Sequence, residues 1–277
     1  MPDDIASQRV NAIILGAQKC ATTSLFFALG KSPDIEGSKV KETNFFSHTP
    51  DWRADMSDYH DLFRQRRPVL LEASPSYTMP PHSERDICGD MYDYNPDLRF
   101  IYITRHPIDR LTSAYRHTFE RGATEQTFED YLTTNERALD CTRYAKQIEP
   151  FIERFGRDRI LLLRFEDVTN RQRDVARTVA QFLGVDAAFA DRLGSVHVND
   201  GRKQKYHMRF DKAGVPLRVL DKVAPPVAKW WKRRQSPKMR GELVAPPAAR
   251  AQAIAKLLPD IEKFEQLSGW DLADWKR

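Results

Sequence analysis

Four short apolar runs, separated by segments with helical spacing, constrain the fold of this chain more than any other feature of its sequence. The runs are residues 11–15, 68–72, 98–104 and 159–165. Each is rich in Ile, Leu or Val and bounded by polar residues, which is typical of buried parallel strands. Helical spacing marks residues 22–30, 107–119, 170–183 and 247–267. Strand followed by helix, repeated, predicts an α/β fold with a central parallel sheet of about four or five strands and helices on both faces.

Composition sets a second group of expectations. Hydrophobic residues make up 41% and charged residues 30% of the 277 residues, as in ordinary globular proteins. Because the sequence shows neither an internal repeat nor a low-complexity linker, we predict one domain over residues 1–277. The net charge of +5 suits an anionic ligand and equally suits a solvated basic face.

The cysteines and the N-terminus bear on the compartment. Cys20, Cys88 and Cys141 form no CxxC pair and no disulfide framework, which fits a reducing environment and predicts no metal site. The first residues have neither a basic region nor an apolar stretch, and no uncharged apolar run reaches about 18 residues. We therefore expect a cytoplasmic protein.

The first candidate site follows the first apolar run. A strand ends at Gly16, Lys19 comes three residues later, and a hydroxyl run opens the next helix. Helix N-termini carry free N–H groups and a partial positive charge, so they bind phosphate or sulfate. The alternative is a capped helix beside a surface lysine. The candidate anion-binding residues are Lys19, Cys20, Ala21, Thr22, Thr23 and Ser24.

This loop is not a Walker A motif, because no second glycine precedes Lys19. Its pattern, G-x-x-K-x-x-T-[TS], resembles the 5′-phosphosulfate loop of sulfotransferases that use 3′-phosphoadenosine 5′-phosphosulfate (PAPS). The resemblance implies a P-loop-like nucleotide-binding sulfotransferase fold. It also implies that the loop holds the 5′-phosphate, that Lys19 sits beside the bridging oxygen, and that the product nucleotide is 3′-phosphoadenosine 5′-phosphate.

The second candidate site is a strand that ends in arginine. Arg105 closes the third apolar run, Pro107 suits the first turn of a helix, and Ser113 falls about two turns into that helix. The pattern R-x-P-x-x-R-x-x-S-x-[YF] resembles the 3′-phosphate site of the same family. A salt-bridged arginine at a sheet edge and an exposed helix serine are the alternatives.

The resemblance covers most of the chain except the segment from Val223 to Met239. Residues 71–77 resemble the E-x-[ST]-P-x-Y segment of the family, and residues 161–167 resemble its late strand, which ends in an acidic pair. The last residues, 269–275, resemble its usual C-terminus. One departure matters: the heparan enzymes commonly have a glycan-contacting lysine where this chain has Ala73.

Glu42 is the candidate catalytic base. The sequence E-x-x-F-F at residues 42–46 resembles the catalytic glutamate region of the glycan-type sulfotransferases, including the heparan enzymes. The two phenylalanines are expected to anchor the loop and to leave the carboxylate partly desolvated, which makes it a stronger base. A solvated Lys41–Glu42 pair is the alternative. The small-molecule sulfotransferases use a histidine instead, and the rival bases are His48, His60, His82 and His106.

Two later segments complete the candidate set. Gly201, Arg202 and Lys203 resemble the basic loop that closes over the nucleotide, although an exposed basic turn has the same composition. The segment from Val223 to Met239 carries a Trp pair and clustered Lys and Arg. It is interpreted as a structural helix with a basic face, as a lid, or as a weak contact with a membrane surface.

Together these features predict a sulfotransferase that moves a sulfuryl group from PAPS to a hydroxyl of a carbohydrate or of a glycosylated or lipid small molecule. We expect no metal requirement and no nucleic-acid partner. The alternatives are a nucleotide-dependent kinase, and a non-catalytic protein that binds a nucleotide or nucleic acid. The oligomeric state and the acceptor are not encoded in any motif.

Overall fold

A five-stranded parallel sheet forms the centre of the part of the chain that the structure describes. The computed structural model describes residues 9–64, 67–79, 85–193 and 243–277. The strands are β1 (Ala12–Gly16), β2 (Ile35–Gly37), β3 (Val69–Ala73), β4 (Arg99–Thr104) and β5 (Ile160–Arg164). They lie in the order β2-β3-β1-β4-β5 and every pairing is parallel. The α/β prediction is therefore confirmed.

Four of the strands coincide with the apolar runs, because burial on both faces demands continuous apolar side chains. All five residues of β1 and all five of β3 are buried. The strand β2 has no such signal: it contains only Ile35, Glu36 and Gly37 and lies at the sheet edge, where it pairs with β3 from Ile35 opposite Val69. Its formation depends on the partner strand more than on its own sequence.

Helices cover both faces of the sheet. Those in the described ranges are α1 (Thr22–Leu29), α2 (Phe45–His48), α3 (Met56–His60), α4 (Ile87–Tyr94), α5 (Pro107–Glu120), α6 (Phe128–Thr134), α7 (Glu136–Asp140), α8 (Tyr144–Phe155), α9 (Phe165–Asn170), α10 (Gln172–Leu183) and α11 (Pro247–Ser268). Because crossovers between parallel strands are right-handed as a rule, the strand order puts α1 on one face and α4 and α8 on the other, and α4 packs on α8. The helix α10 packs on α1, and α11 packs on α8. Within these ranges no helix is long and apolar enough to cross a membrane.

The region after β5 differs from its sequence-based prediction. The strand ends at Arg164, and the acidic pair Glu166 and Asp167 lies in the first turn of α9 instead of at the strand end. Negative side chains are favourable there because a helix N-terminus carries partial positive charge. The expected helix over residues 170–183 begins at Gln172, after a non-helical Arg171.

The two predicted anion sites meet at the carboxyl-terminal ends of β1 and β4. The neighbouring strands β1 and β4 send their connections in opposite directions, which opens a crevice at their carboxyl ends. Ala17, just after β1, donates its N–H to the carbonyl oxygen of Ile103 in β4 at 2.7 Å. The loop that follows Gly16 and the arginine that follows β4 therefore border the same crevice.

Several sequence predictions fall outside the described residues. They are Gly201, Arg202 and Lys203, the segment from Val223 to Met239, and His82. These assignments stay predictions.

Candidate active site

The loop after β1 has the backbone of an anion site. Lys19 and Ala21 both adopt left-handed conformations, with φ of 70° and 61°. Alternation of such residues with right-handed ones turns successive N–H groups toward one point, where an anion binds. The N-cap of α1, Ala21, makes no side-chain capping bond, so the first amides of this eight-residue helix are available for a ligand.

Gly16 is required at the start of this loop because its neighbours approach too closely for a side chain. A Cβ atom placed on Gly16 would lie 3.1 Å from the hydroxyl oxygen of Thr78 and 3.1 Å from Cε2 of Tyr102. The glycine of the motif therefore serves backbone packing, while Lys19 supplies the charge.

Lys19 lies among charged side chains of both signs. Burial is the main cause that lowers its pKa, and the cations Arg121 and Arg110 lower it further. The carboxylates of Glu120 and Glu42 act in the opposite direction. A half-buried ammonium with cationic neighbours gains most from a bound anion, because the anion relieves both the desolvation and the repulsion.

Arg110 holds the anion loop in place. This side chain is only 1% exposed. Its guanidinium donates to the carbonyl oxygen of Gln18 at 3.2 Å and to the side-chain oxygen of Gln18 at 2.9 Å. It also donates to the carbonyl oxygen of Ala138 at 2.9 Å. The second arginine of the R-x-P-x-x-R pattern is thus a structural clamp on the loop, a role the sequence pattern did not reveal.

Arg105 has the features expected of a phosphate ligand. Its Nε is buried and has no hydrogen-bond partner among the described residues, and its closest acid, Asp109, is 4.0 Å away. The guanidinium lies 4.2 Å from the centre of the Phe165 ring, which fixes its plane. An unpaired buried donor is costly unless a ligand completes it. Ser113, two turns into α5, is half-buried. These residues and the first loop together fit the two anionic ends of PAPS.

Glu42 lies on a tightly held loop. The backbone of Glu42 has φ of 64° and that of Asn44 has φ of 54°, both left-handed. The N–H of Glu42 donates to the carbonyl oxygen of Ala73 at 3.0 Å, and the N–H of Asn44 donates to Oγ of Ser74 at 3.0 Å. The loop is therefore fixed to the segment that follows β3.

The side chain of Glu42 differs from one expectation. It is 53% exposed, so the carboxylate is not the desolvated group that the sequence predicted. Its Oε1 accepts a 2.6 Å bond from Nζ of Lys41. The Lys41–Glu42 pair of the alternative interpretation exists, but it is not a solvated pair, because its lysine side chain is only 7% exposed. A buried cation thus holds one oxygen of an accessible carboxylate.

The phenylalanines of E-x-x-F-F anchor the loop as expected. Phe45 and Phe46 are 7% and 0% exposed. The Phe45 ring stacks on Tyr59 with centroids 4.2 Å apart and planes within 3° of parallel. Phe46 packs edge-on against Trp52. The apolar contacts lie below the loop, so the carboxylate on its outer side stays accessible.

The rival histidines within the described residues have other surroundings. His48 is exposed at the end of α2. His60 shares a 2.9 Å hydrogen bond with the hydroxyl of Tyr94 inside the aromatic cluster under the Glu42 loop. His106 caps α5 by accepting from the N–H of Ile108 through Nδ1, which agrees with the structural role expected for it.

His117 is a candidate that sequence reasoning missed. It lies one helical turn after Ser113 on α5, so the two side chains share a face. Its pKa is lowered to about 4, mainly by burial and also by the charges of Lys19 and Arg121, while the charge of Glu42 acts in the opposite direction. The charges of both predicted catalytic groups therefore act on this imidazole. The i, i+4 spacing from Ser113 was the available signal.

Comparison with known proteins identifies a family and several relatives. The sulfotransferase domain family matches residues 11–211. Heparan sulfate glucosamine 3-O-sulfotransferase 3A1 of Mus musculus is 24% identical over 201 residues, which are 69% of this chain and 49% of that protein. Bifunctional heparan sulfate N-deacetylase/N-sulfotransferase 1 of Xenopus tropicalis is 25% identical over 64% of this chain and 22% of its own length. The chain thus spans about half the length, or less, of these curated relatives.

Solved structures agree with the fold. A sulfotransferase from Alicyclobacillus acidocaldarius aligns with a TM-score of 0.68 and 25% identity, covering 98% of this chain and 100% of that chain. The sulfotransferase domain of the Synechococcus PCC 7002 olefin synthase aligns with a TM-score of 0.51 at 19% identity and covers 97% of this chain and 98% of its own, which is a likeness of fold alone. With the family match over residues 11–211, these findings show that the chain belongs to the sulfotransferase domain family, which uses PAPS as its sulfuryl donor.

Proposed function

We propose that this protein transfers a sulfuryl group from PAPS to an acceptor hydroxyl, with Glu42 as the general base. The observation that carries the proposal is the placement of opposite charges at one sheet edge. The N–H of Glu42 bonds to the carbonyl oxygen of Ala73 at the end of β3. Lys19 follows β1, the strand next to β3. The charge of Glu42 acts on Lys19. These two charges support Glu42 as the base and Lys19 as the cation at the leaving group.

Each residue has a defined task in this reaction. PAPS supplies the sulfuryl group. Glu42 takes the proton from the acceptor hydroxyl as the acceptor oxygen forms its bond to sulfur. Lys19 neutralises the charge that develops on the bridging oxygen as the bond from that oxygen to sulfur breaks. The products are a sulfate ester and 3′-phosphoadenosine 5′-phosphate, with the proton on Glu42 passing to water.

The two carboxylate oxygens of Glu42 differ in their surroundings because of Lys41. Its ammonium occupies Oε1, whereas Oε2 accepts no hydrogen bond from any described residue. The free oxygen is the one available to an acceptor hydroxyl. Because the Lys41 side chain is buried, the pair keeps its geometry better than two solvated side chains would.

The acceptor we propose is a carbohydrate hydroxyl, or a hydroxyl of a glycosylated or lipid small molecule. The E-x-x-F-F loop supports this, as do the relatives whose names include heparan sulfate glucosamine 3-O-sulfotransferase. Ala73 is fully buried and carries no charge, so the basic contact to a glycan implied at this position by the heparan enzymes is absent from it. A less anionic sugar than heparan therefore suits the site better.

A second base has support from one observation. His117 shares a face of α5 with Ser113, and the charges of Lys19 and Glu42 act on its imidazole, so it is a rival proton acceptor. Both assignments describe the same overall reaction. Family membership favours sulfuryl transfer over the phosphoryl transfer of a kinase.

The test is a screen with isotope-labelled PAPS, read by mass spectrometry. The panel contains methyl glycosides, heparan-sulfate oligosaccharides, a simple phenol and a fatty alcohol. We expect a sulfated methyl glycoside, with heparan-sulfate oligosaccharides giving a slower reaction. Exclusive sulfation of the phenol would contradict the carbohydrate assignment. Release of product nucleotide without any sulfated acceptor would show that none of the acceptor classes in the panel is a substrate.

A further inference from the structure

A fully buried carboxylate, Glu72, lies beneath the loop that carries Glu42. Glu72 is in β3 and is 0% exposed. Its Oε1 accepts hydrogen bonds from the hydroxyls of Thr43 at 2.6 Å, Tyr77 at 3.0 Å and Ser74, and its Oε2 accepts from Tyr59 at 2.8 Å and Tyr77 at 3.0 Å. Among the described residues no lysine, arginine or histidine forms an ion pair with it.

Four hydroxyl donors take the place of a countercation. Burying a carboxylate is costly unless hydrogen bonds compensate for its lost hydration, and bonds to an ionised acceptor are the strong ones. Burial raises the pKa of Glu72, and the bonds from Ser74, Thr43, Tyr59 and Tyr77 oppose that rise. An ionised carboxylate accepts a hydrogen bond from each of these donors. The buried carboxylate is therefore fully hydrogen-bonded only when all four hydroxyls point toward it.

One of the four donors belongs to the loop of the proposed base. Thr43 lies between Glu42 and Asn44, whose left-handed backbones are unfavourable for residues other than glycine. Such conformations persist only where surrounding contacts impose them. The Thr43 hydroxyl donates to Glu72 and also accepts from the N–H of Phe45 at 3.3 Å. A single hydroxyl thus ties the loop to β3 and closes the turn after it.

Other contacts also hold the loop, among them two bonds from its backbone N–H groups. The N–H of Glu42 reaches Ala73, and the N–H of Asn44 reaches Ser74. Removal of the Thr43 hydroxyl deletes the link to Glu72 and the longer bond from the N–H of Phe45, and it leaves these two backbone N–H bonds in place. Glu72 itself cannot touch substrate, because its side chain is enclosed by the aromatic rings and hydroxyls around it.

We propose that Glu72 is a positioning residue for sulfuryl transfer: through the Thr43 hydroxyl it holds the Glu42 carboxylate where it meets the acceptor. The proposal rests on the assignment of Glu42 as base. Misplacement of a catalytic group by about 1 Å costs on the order of 10²-fold in rate, so a loosened loop lowers turnover while both anion sites remain intact.

The test removes the link while preserving shape. Thr43→Val deletes the hydroxyl and keeps the branched side chain, and Thr43→Ser keeps the hydroxyl. We expect Thr43→Val to lower kcat by roughly 10-fold or more, and Thr43→Ser to restore it to within about threefold of wild type. The affinity for 3′-phosphoadenosine 5′-phosphate, measured by calorimetry, should stay within about twofold in both. The rates are measured with labelled PAPS and the panel acceptor that is sulfated fastest.

Tyr59→Phe is the matched control. It also deletes one donor to Glu72, but on Oε2, and it leaves the ring stacked on Phe45. We expect a lower Tm with kcat within about twofold of wild type. Glu72→Gln would leave buried hydroxyls without an acceptor and lower Tm most, so the Thr43 pair carries the test. Equal losses of kcat in Thr43→Val and Tyr59→Phe would overturn the proposal, because they would reflect stability alone.

A double-mutant cycle separates this inference from the assignment of the base. If Thr43 acts through Glu42, Thr43→Val adds no further loss in a Glu42→Gln background. A slow Glu42→Gln enzyme combined with a fully active Thr43→Val enzyme would overturn the positioning role and leave the base in place. A fully active Glu42→Gln enzyme would show that Glu42 is not the base. If Thr43→Val then lowered kcat as much in the Glu42→Gln background as in the wild type, the positioning role would be overturned as well.

Discussion

The backbone N–H of Glu42 donates a 3.0 Å hydrogen bond to the carbonyl oxygen of Ala73, the last residue of β3. Ala73 is in register with Ile14 of β1, two residues before Gly16. The loop of the proposed base, which follows β2 in the chain, is therefore held at the end of β3, beside the strand β1 that leads into the loop of Lys19. This relationship brings the proposed base to the strand next to the one that leads to the proposed leaving-group cation.

Glu42→Gln tests the base directly. Glutamine has nearly the same shape but accepts no proton, so we expect turnover to fall by about 10²-fold or more with unchanged nucleotide affinity. Single-turnover rates and calorimetry measure the two effects. His48→Ala is the control, because His48 is exposed beyond the loop and should keep the wild-type rate. Near-normal turnover of Glu42→Gln, with an inactive His117→Gln, would move the base to His117.

Lys19→Ala should reduce turnover more than nucleotide binding. Charge grows on the bridging oxygen only as its bond to sulfur breaks, so a cation beside that oxygen acts mainly on the transition state. Turnover and affinity for 3′-phosphoadenosine 5′-phosphate are measured in parallel. Turnover within about twofold of wild type, or a parallel loss of both quantities, would contradict this role.

Arg105→Ala should weaken nucleotide binding. A charge-assisted bond to phosphate contributes roughly 1.5–3 kcal/mol, which corresponds to about a 10- to 100-fold rise in Kd. Arg159→Ala is the matched control, because Arg159 pairs with Asp97 at the opposite, amino-terminal edge of the strands. Calorimetry with 3′-phosphoadenosine 5′-phosphate decides the question, and equal affinities for the two variants would remove Arg105 from the site.

His117 should make stability depend on pH. Its pKa in the folded protein is lowered to about 4 from the ordinary value of 6.5, so the unfolded chain binds more protons between these values. Stability is therefore lost as the pH falls from about 6.5 toward 4. A His117→Gln variant should lose less over this window when Tm is followed against pH, and parallel curves for the two proteins would show that His117 does not contribute.

The three cysteines should be unreactive in the folded protein. All are free and buried, and burial raises the pKa of Cys20 to about 11 and that of Cys88 to about 12. The pKa of Cys141 is raised by the same cause. The thiolate is the reactive form, so a disulfide reagent at pH 8 should modify none of them until denaturant is added. Rapid modification of Cys20 would contradict the closed packing of the anion loop.

Four strands, the anion loop and Arg105 could be predicted from the sequence because each is encoded locally. A strand buried on both faces must be apolar throughout, as β1 and β3 are. An anion loop needs glycine, lysine and a helix start within a few residues, which Gly16 and Lys19 satisfy. Such features leave their pattern in consecutive residues, so periodicity and spacing reveal them.

The rest was decided by contacts between distant residues. Arg110 clamps Gln18 across 92 positions, and Glu72 holds Thr43 across 29. The edge strand β2 forms because β3 offers it hydrogen bonds, and His117 becomes a candidate only when α5 brings it to Lys19 and Glu42. The sequence determines which strands are buried and where an anion can bind. The tertiary structure decides which buried charges meet and what holds the base, because burial and hydrogen bonding depend on neighbours that only folding supplies.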